Sequence, residues 1–239
     1  MLLDPRLDAV FDATWQAAQS RRFGGLVALE AAGAGDRVNG AHRVGDWSEK
    51  DIDAACAQLA EWGIAPLFRV DDADAGFIAA LEARGFQRSP SALMMGIAPD
   101  RLTDRPIPPV TAFEHWPPLA VQRDMWVEGG FGSPRLAVMD RVEVVKTSLL
   151  GRIDDRAAAT GFLALHDGIA MLHALVVAPE HRRKGMAGWM LRRAALWAQA
   201  QGADQLVLAV GVENHGAIAT YDALGFARLA DYSVMTLPG

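Results

Sequence analysis

The chain has one cysteine, Cys56, among 239 residues. That excludes a disulfide within it and any zinc cluster built on several cysteines. Cys56 sits in an Ala-rich amphipathic run, where a free thiol behaves as a small core hydrophobe. Tyrosine is almost as scarce, at Tyr221 and Tyr232 only. No apolar run approaches the ~18 residues of a membrane span, so no membrane partner is expected. No basic segment followed by an apolar run opens the sequence, which sets the expectation of a cytoplasmic protein. Positive charge is also short, with 23 Lys and Arg against 29 Asp and Glu and a net charge of -6. That balance argues against a generic nucleic-acid binder. Apolar residues, in contrast, make up 51% of the chain, enough for a sizeable core without metals or disulfides.

Residues 99–109 read PDRLTDRPIPP, rich in proline and charge and without periodicity, so they are expected to link two halves. The halves match at a constant offset of 140. Ile78-Ala79 answers Ile218-Ala219, Gly85-Phe86 answers Gly225-Phe226, and Arg88 answers Arg228. Leu67–Val70 falls on Val207–Val210 without a gap. Two copies of one fold are expected, in domains 1–100 and 110–239.

Periodicity gives the elements. In the second half, Leu136 to about Ile153 has helical spacing, and Thr160–Leu165 and Ile169–Val177 are strands joined by a turn at Asp167-Gly168. Gly185–Gln201 is a helix stopped by Gly202, and Gln205–Val210 is a buried strand. Asn214 caps a short helix ending at Gly225, and Tyr232–Leu237 is a last strand. In the first half, helices are expected near 8–18, 48–62 and 75–84, and strands at 66–70 and 92–97.

The densest signal follows the strand ending at Val177. After Ala178-Pro179-Glu180 come His181, Arg182, Arg183 and Lys184, then Gly185-Met186-Ala187 and the long helix. Cations at a helix N-terminus oppose the macrodipole, at roughly 0.3–1 kcal/mol each. A bound polyphosphate would offset that cost, so this turn reads as an anion site. A P-loop is excluded, because Lys184-Gly185 lacks the Gly-x-x-x-x-Gly-Lys-Ser/Thr frame.

These residues resemble the GNAT superfamily of acyl-CoA N-acyltransferases. Its Arg/Gln-x-x-Gly-x-Gly/Ala signature after Val-x-Pro is matched by Val177-Ala178-Pro179 and Arg182–Ala187. Its Asn…Ala…Tyr-x-x-x-Gly-Phe signature is matched by Asn214, Ala217 and Tyr221–Phe226. The resemblance implies an α/β (α+β) class with two tandem folds, each a mixed, mostly antiparallel sheet flanked by helices. It is similar to tandem members in which one half carries the working site. It implies acetyl-CoA as cosubstrate and direct transfer to a primary amine of a small molecule, in a monomer or homodimer.

The resemblance also implies roles. The Arg182, Arg183, Lys184, Gly185, Met186, Ala187 turn would take the pyrophosphate. The main chain of Leu175, Val176 and Val177 would take the pantetheine arm. Two roles stay open for Asn214, a cofactor contact or a helix cap. Tyr221 would protonate the leaving thiolate, or act as an amphipathic core residue. His173, in a His-Ala-Leu-x-Val context, would take the amine proton or be a satisfied core residue; Glu213 and His166 are further base candidates. In the first half the matching turn is His42-Arg43-Val44-Gly45-Asp46, and the tyrosine position is Leu81. That copy is expected to lack a cofactor site. The alternative to an enzyme is a non-catalytic acyl-CoA-binding or sensing protein.

Overall fold

A computed structural model describes residues 6–35 and 38–238. The first half forms α1 Arg6–Thr14, β1 Gln19–Phe23, β2 Leu26–Glu30, β3 Gly40–Arg43, α2 Glu49–Glu61, β4 Leu67–Asp71, α3 Ala75–Glu82 and β5 Gln87–Ile97. The second half forms β6 Ala112–His115, α4 Ala120–Glu128, α5 Ser133–Arg141, β7 Lys146–Ile153, β8 Arg156–His166 and β9 Ile169–Val177. It ends with α6 Met186–Ala200, β10 Gln205–Gly211, α7 His215–Ala223 and β11 Ala227–Thr236. No helix among the described residues is long and apolar enough to cross a membrane.

The chain folds into two compact units that interleave along the sequence. The larger holds the described residues up to Gln16, then Met95–Val210 and Asn214–Arg228. The smaller holds Ala17–Met94, Gly211–Glu213 and the residues from Leu229 on. The boundaries therefore differ from the expected 1–100 and 110–239. Helix α1, from the first half, packs on β8 and β9 of the larger unit. Strand β11, from the end of the chain, pairs antiparallel with β4 of the smaller unit, Tyr232 opposite Asp71 and Thr236 opposite Leu67.

The repeat is borne out in the strand pairing. Strands β1, β2 and β3 run antiparallel in sequence, and β3 then pairs parallel with β4. Strands β7, β8 and β9 do the same, and β9 pairs parallel with β10. The caps repeat closely too. Asp74 (φ -86, ψ 68) and Asn214 (φ -87, ψ 63) each accept from the N–H three residues on, Phe77 and Ala217. Gly85 and Gly225, which end those helices, both sit at φ 86, a conformation that costs glycine little.

Each unit has its own core. In the smaller, Phe68 is fully buried and meets Phe77 and Phe86 edge-on at 5.9 and 5.2 Å. Leu26, Ile52, Leu59 and Leu81 complete that core. In the larger, α6 lays Met190, Leu191, Ala194 and Ala198 onto the sheet. Each large side chain so buried contributes roughly 1.5–3 kcal/mol.

Two sequence expectations need correction. The helical spacing read over Leu136–Ile153 belongs to a helix only as far as Arg141; from Lys146 it is strand β7. That strand is buried on both faces, a pattern that a buried helix also shows. The expected 99–109 linker is docked. Pro99–Leu102 forms a 3₁₀ turn with Leu102 buried, and Asp104 pairs with Arg192 of α6.

Candidate functional site

The site grows from an irregularity in β9. Opposite β8, Thr160 faces Val176 and Phe162 faces His173, so Ala174 and Leu175 share one partner position, Gly161. This is a β-bulge, and Ala174 takes the left-handed conformation at φ 49. The indole of Trp126 on α4 donates to the Ala174 carbonyl at 2.9 Å and satisfies the group that the bulge turns out of the ladder. Pairing with β10 covers only Ile169–Leu172 and stops at the residue before His173. Beyond it, the edge of β9 away from β8 has no strand partner among the described residues. Leu175, Val176 and Val177 lie there half-buried, as a splayed strand requires.

The end of α4 closes on this edge. A Cβ on Gly129 would lie 2.9 Å from both Val176 methyls, so only glycine lets the 129–132 loop approach so closely.

Past Val177, Pro179–His181 makes a 3₁₀ turn and the basic residues follow. Arg183 at φ 62 and Gly185 at φ 81 alternate with ordinary backbone, a form that gathers successive N–H groups into a concavity. The N–H groups of residues 183–188 have no backbone partner among the described residues. A Cβ at Gly185 would meet no atom within 4 Å, so open space faces the turn. Residues 182–185 are exposed. Arg182 folds back and donates from Nε to the Val177 carbonyl at 3.2 Å. Arg183 and Lys184 form no ion pair among the described residues. Met186 is 2% exposed, with its side chain in the core. An unpaired strand edge running into unengaged N–H groups and two unneutralised cations fits a long, amide-bearing, anionic ligand.

Asn214 follows β10, which runs parallel to β9, so it and the basic turn lie at the same end of the sheet. Its side chain caps α7, accepting from Ala217 at 3.1 Å. Two turns along α7, Tyr221 is 8% exposed and packs on Phe226 at 5.6 Å. His166 lies at the other end, opposite Ile169, the first residue of β9. At about 3.3 Å per residue, that is roughly 26 Å from Val177.

His173 is 5% exposed. Its ring stacks on Trp15 at 4.9 Å and is met edge-on by Phe11 at 6.1 Å. Thr14 gives its one hydroxyl proton to the Val10 carbonyl at 2.6 Å. The 2.8 Å contact between Thr14 Oγ1 and His173 Nε2 therefore has the imidazole N–H as donor. Sequence reasoning found His173 but missed Thr14, Trp15, Trp126 and Gly129, which shape its surroundings and the bulge.

Residues 113–226 match the family model described as the acetyltransferase (GNAT) family. An uncharacterized N-acetyltransferase, YobR of Bacillus subtilis, is 30% identical over 95 residues, 40% of this chain and 38% of that protein. N-acetyltransferase family 8 member 3 of Rattus norvegicus is 34% identical over 61 residues, 26% of this chain and 27% of that protein. The aligned part thus spans less than two-fifths of either relative. Among solved structures, a GCN5-related N-acetyltransferase from Kribbella flavida superposes with a TM-score of 0.75 at 17% identity, over 98% of this chain and 95% of that one. A tandem GNAT protein from the clavulanic acid biosynthesis pathway gives 0.66 at 15% identity, over 97% and 88%. These two share the fold.

Proposed function

From the match of residues 113–226 to the acetyltransferase (GNAT) family, we propose that the protein moves an acetyl group from acetyl-CoA to a primary amine of a small molecule. The observation that carries this reading is the open β9 edge at 173–177 leading into the unengaged N–H groups of the turn. In this reading the main chain of Leu175, Val176 and Val177 aligns the pantetheine arm. The N–H groups from Arg183 to Ala187, with Arg183 and Lys184, meet the pyrophosphate.

The thioester supplies an activated acyl carbon with a thiolate leaving group. The amine nitrogen, held beside that carbon, attacks directly. The N–C bond forms and the C–S bond breaks, with the electron pair leaving on sulfur. Tyr221 donates its hydroxyl proton to that sulfur, a contribution of roughly 10²–10⁴ in rate, and regains a proton from water. The amine's own proton goes to water. His173 is assigned to packing, because its Nε2–H is committed to Thr14 inside an aromatic shell. Asn214 is assigned mainly to the cap. No protein nucleophile is required.

The test is a panel of small amines scored by free thiol released from acetyl-CoA. Release that needs both acetyl-CoA and an amine supports the reading. Acetyl-CoA binding in calorimetry with no release from any amine would make the protein a binding module instead.

A further inference from the structure

Seven non-glycine residues among those described have a positive φ, and six of them lie in turns. Ala174, at φ 49, alone stands inside a strand. A left-handed alanine is costly, and it persists only where its surroundings hold it. Here the holding element is α4.

Helix α4 is pinned to the sheet along one face. Gln122 is fully buried and donates through Nε2 to the Leu149 carbonyl on β7 at 2.9 Å and to the Thr160 hydroxyl on β8 at 3.3 Å. Four residues on, and so on the same face, Trp126 is also fully buried and donates from Nε1 to the Ala174 carbonyl on β9 at 2.9 Å. Three successive strands are therefore tied to one helix, and the tie to β9 ends on the strained residue. With water excluded, breaking that bond would leave a buried indole N–H unpaired, which makes the bond costly to lose. A trans peptide is planar, with its C=O and N–H pointing in opposite directions. Fixing the Ala174 carbonyl toward the indole therefore fixes the Leu175 N–H away from it.

We propose that Trp126 is a positioning residue for the transfer: its indole N–H holds the 174–175 peptide in the orientation in which the Leu175 main chain meets the pantetheine arm. This rests on the acyl-CoA reading above. Trp126 acts through that peptide and not on the substrate itself.

Calorimetry with acetyl-CoA and with ADP, which carries a pyrophosphate but no pantetheine arm, tests this. Trp126→Phe keeps an aromatic ring and removes the N–H. It is expected to weaken acetyl-CoA binding roughly tenfold and to leave ADP binding within about twofold. Adding Ala174→Gly removes the Cβ that makes the left-handed conformation costly, and is expected to recover part of the loss. In the wild-type protein, the ¹⁵N-indole proton resonance of Trp126 is expected to move downfield with acetyl-CoA and not with ADP. A hydrogen bond formed at one end of a peptide unit strengthens the bond at the other. That measurement does not depend on a variant folding. Unchanged acetyl-CoA affinity in Trp126→Phe, an equal loss with ADP, no recovery with the added glycine, or a stationary resonance would each overturn the positioning role while the acetyltransferase reading stands. A wild-type protein that binds no acetyl-CoA would overturn both.

Discussion

The two copies of the fold carry the same turn with opposite electrical outcomes. Arg43 and Arg183 are 140 residues apart and follow equivalent strands. Arg43 is neutralised internally. Asp74 pairs with it at 2.8 Å, Asp46 approaches to 4.0 Å, and its Nε donates to the Gly45 carbonyl. Arg183 and Lys184 have no such partner among the described residues, because Asn214 stands where the first copy has Asp74, and Met186, which stands where it has Asp46, has no carboxylate to offer. Gly185 is left-handed, and Gly45 is not. The first copy satisfies its basic turn with its own carboxylates, and the second leaves Arg183 and Lys184 without an ion pair among the described residues. What the copies share is what the fold needs: the parallel pair, the cap, and the glycine at φ 86.

The sharpest way to break this comparison is to place the same charge in both turns. Gly185→Glu puts a carboxylate where the N–H groups converge and is expected to abolish measurable acetyl-CoA binding. Gly45→Glu, at a position already facing Arg22 at 3.7 Å, is expected to leave binding unchanged. Calorimetry on both variants decides. Equal losses would mean that the first copy also holds the ligand, and normal binding in Gly185→Glu would move the site elsewhere.

A smaller effect separates Tyr221 from Leu81. Leu81 is fully buried and Tyr221 8% exposed, so an apolar residue fills that slot in the first copy. Packing alone therefore does not demand a hydroxyl in the second. Tyr221→Phe is expected to lower turnover roughly 10²–10⁴-fold with acetyl-CoA affinity within about twofold. A turnover that stays at the wild-type value across the pH range would return Tyr221 to the core.

Much of this contrast was legible in the chain. The bounds of β9, the capped helices and the 140-residue offset came from local patterns that a single segment carries. The bulge did not. Ala174 is a poor signal for a left-handed residue, and the group that holds it, Trp126, lies 48 positions away. The setting of His173 was hidden for the same reason, since Thr14 is 159 positions distant and reaches it through α1. Strands β1 to β3 gave no clear alternation either. Strand β1 is exposed at four of its five positions, and β2 and β3 are buried on both faces, so neither shows period two.

The smallest expected effect concerns Cys56, the one thiol, on α2 of the copy without the signature. Burial pushes its pKa up, the Asp53 charge pushes it further, and Arg84 pulls the other way. The net rise means less thiolate at neutral pH than an ordinary cysteine holds, and the thiolate is the nucleophile. Iodoacetamide should therefore alkylate Cys56 more slowly than free cysteine at pH 7.5, with the rate still climbing above the pH at which free cysteine levels off. Cys56→Ser should keep turnover within about twofold if, as proposed, the acetyl group passes directly to the amine. An acetyl-Cys56 species seen by mass spectrometry after mixing with acetyl-CoA alone, together with inactivity of the serine variant, would give the first copy a chemical role and dissolve the division between the two.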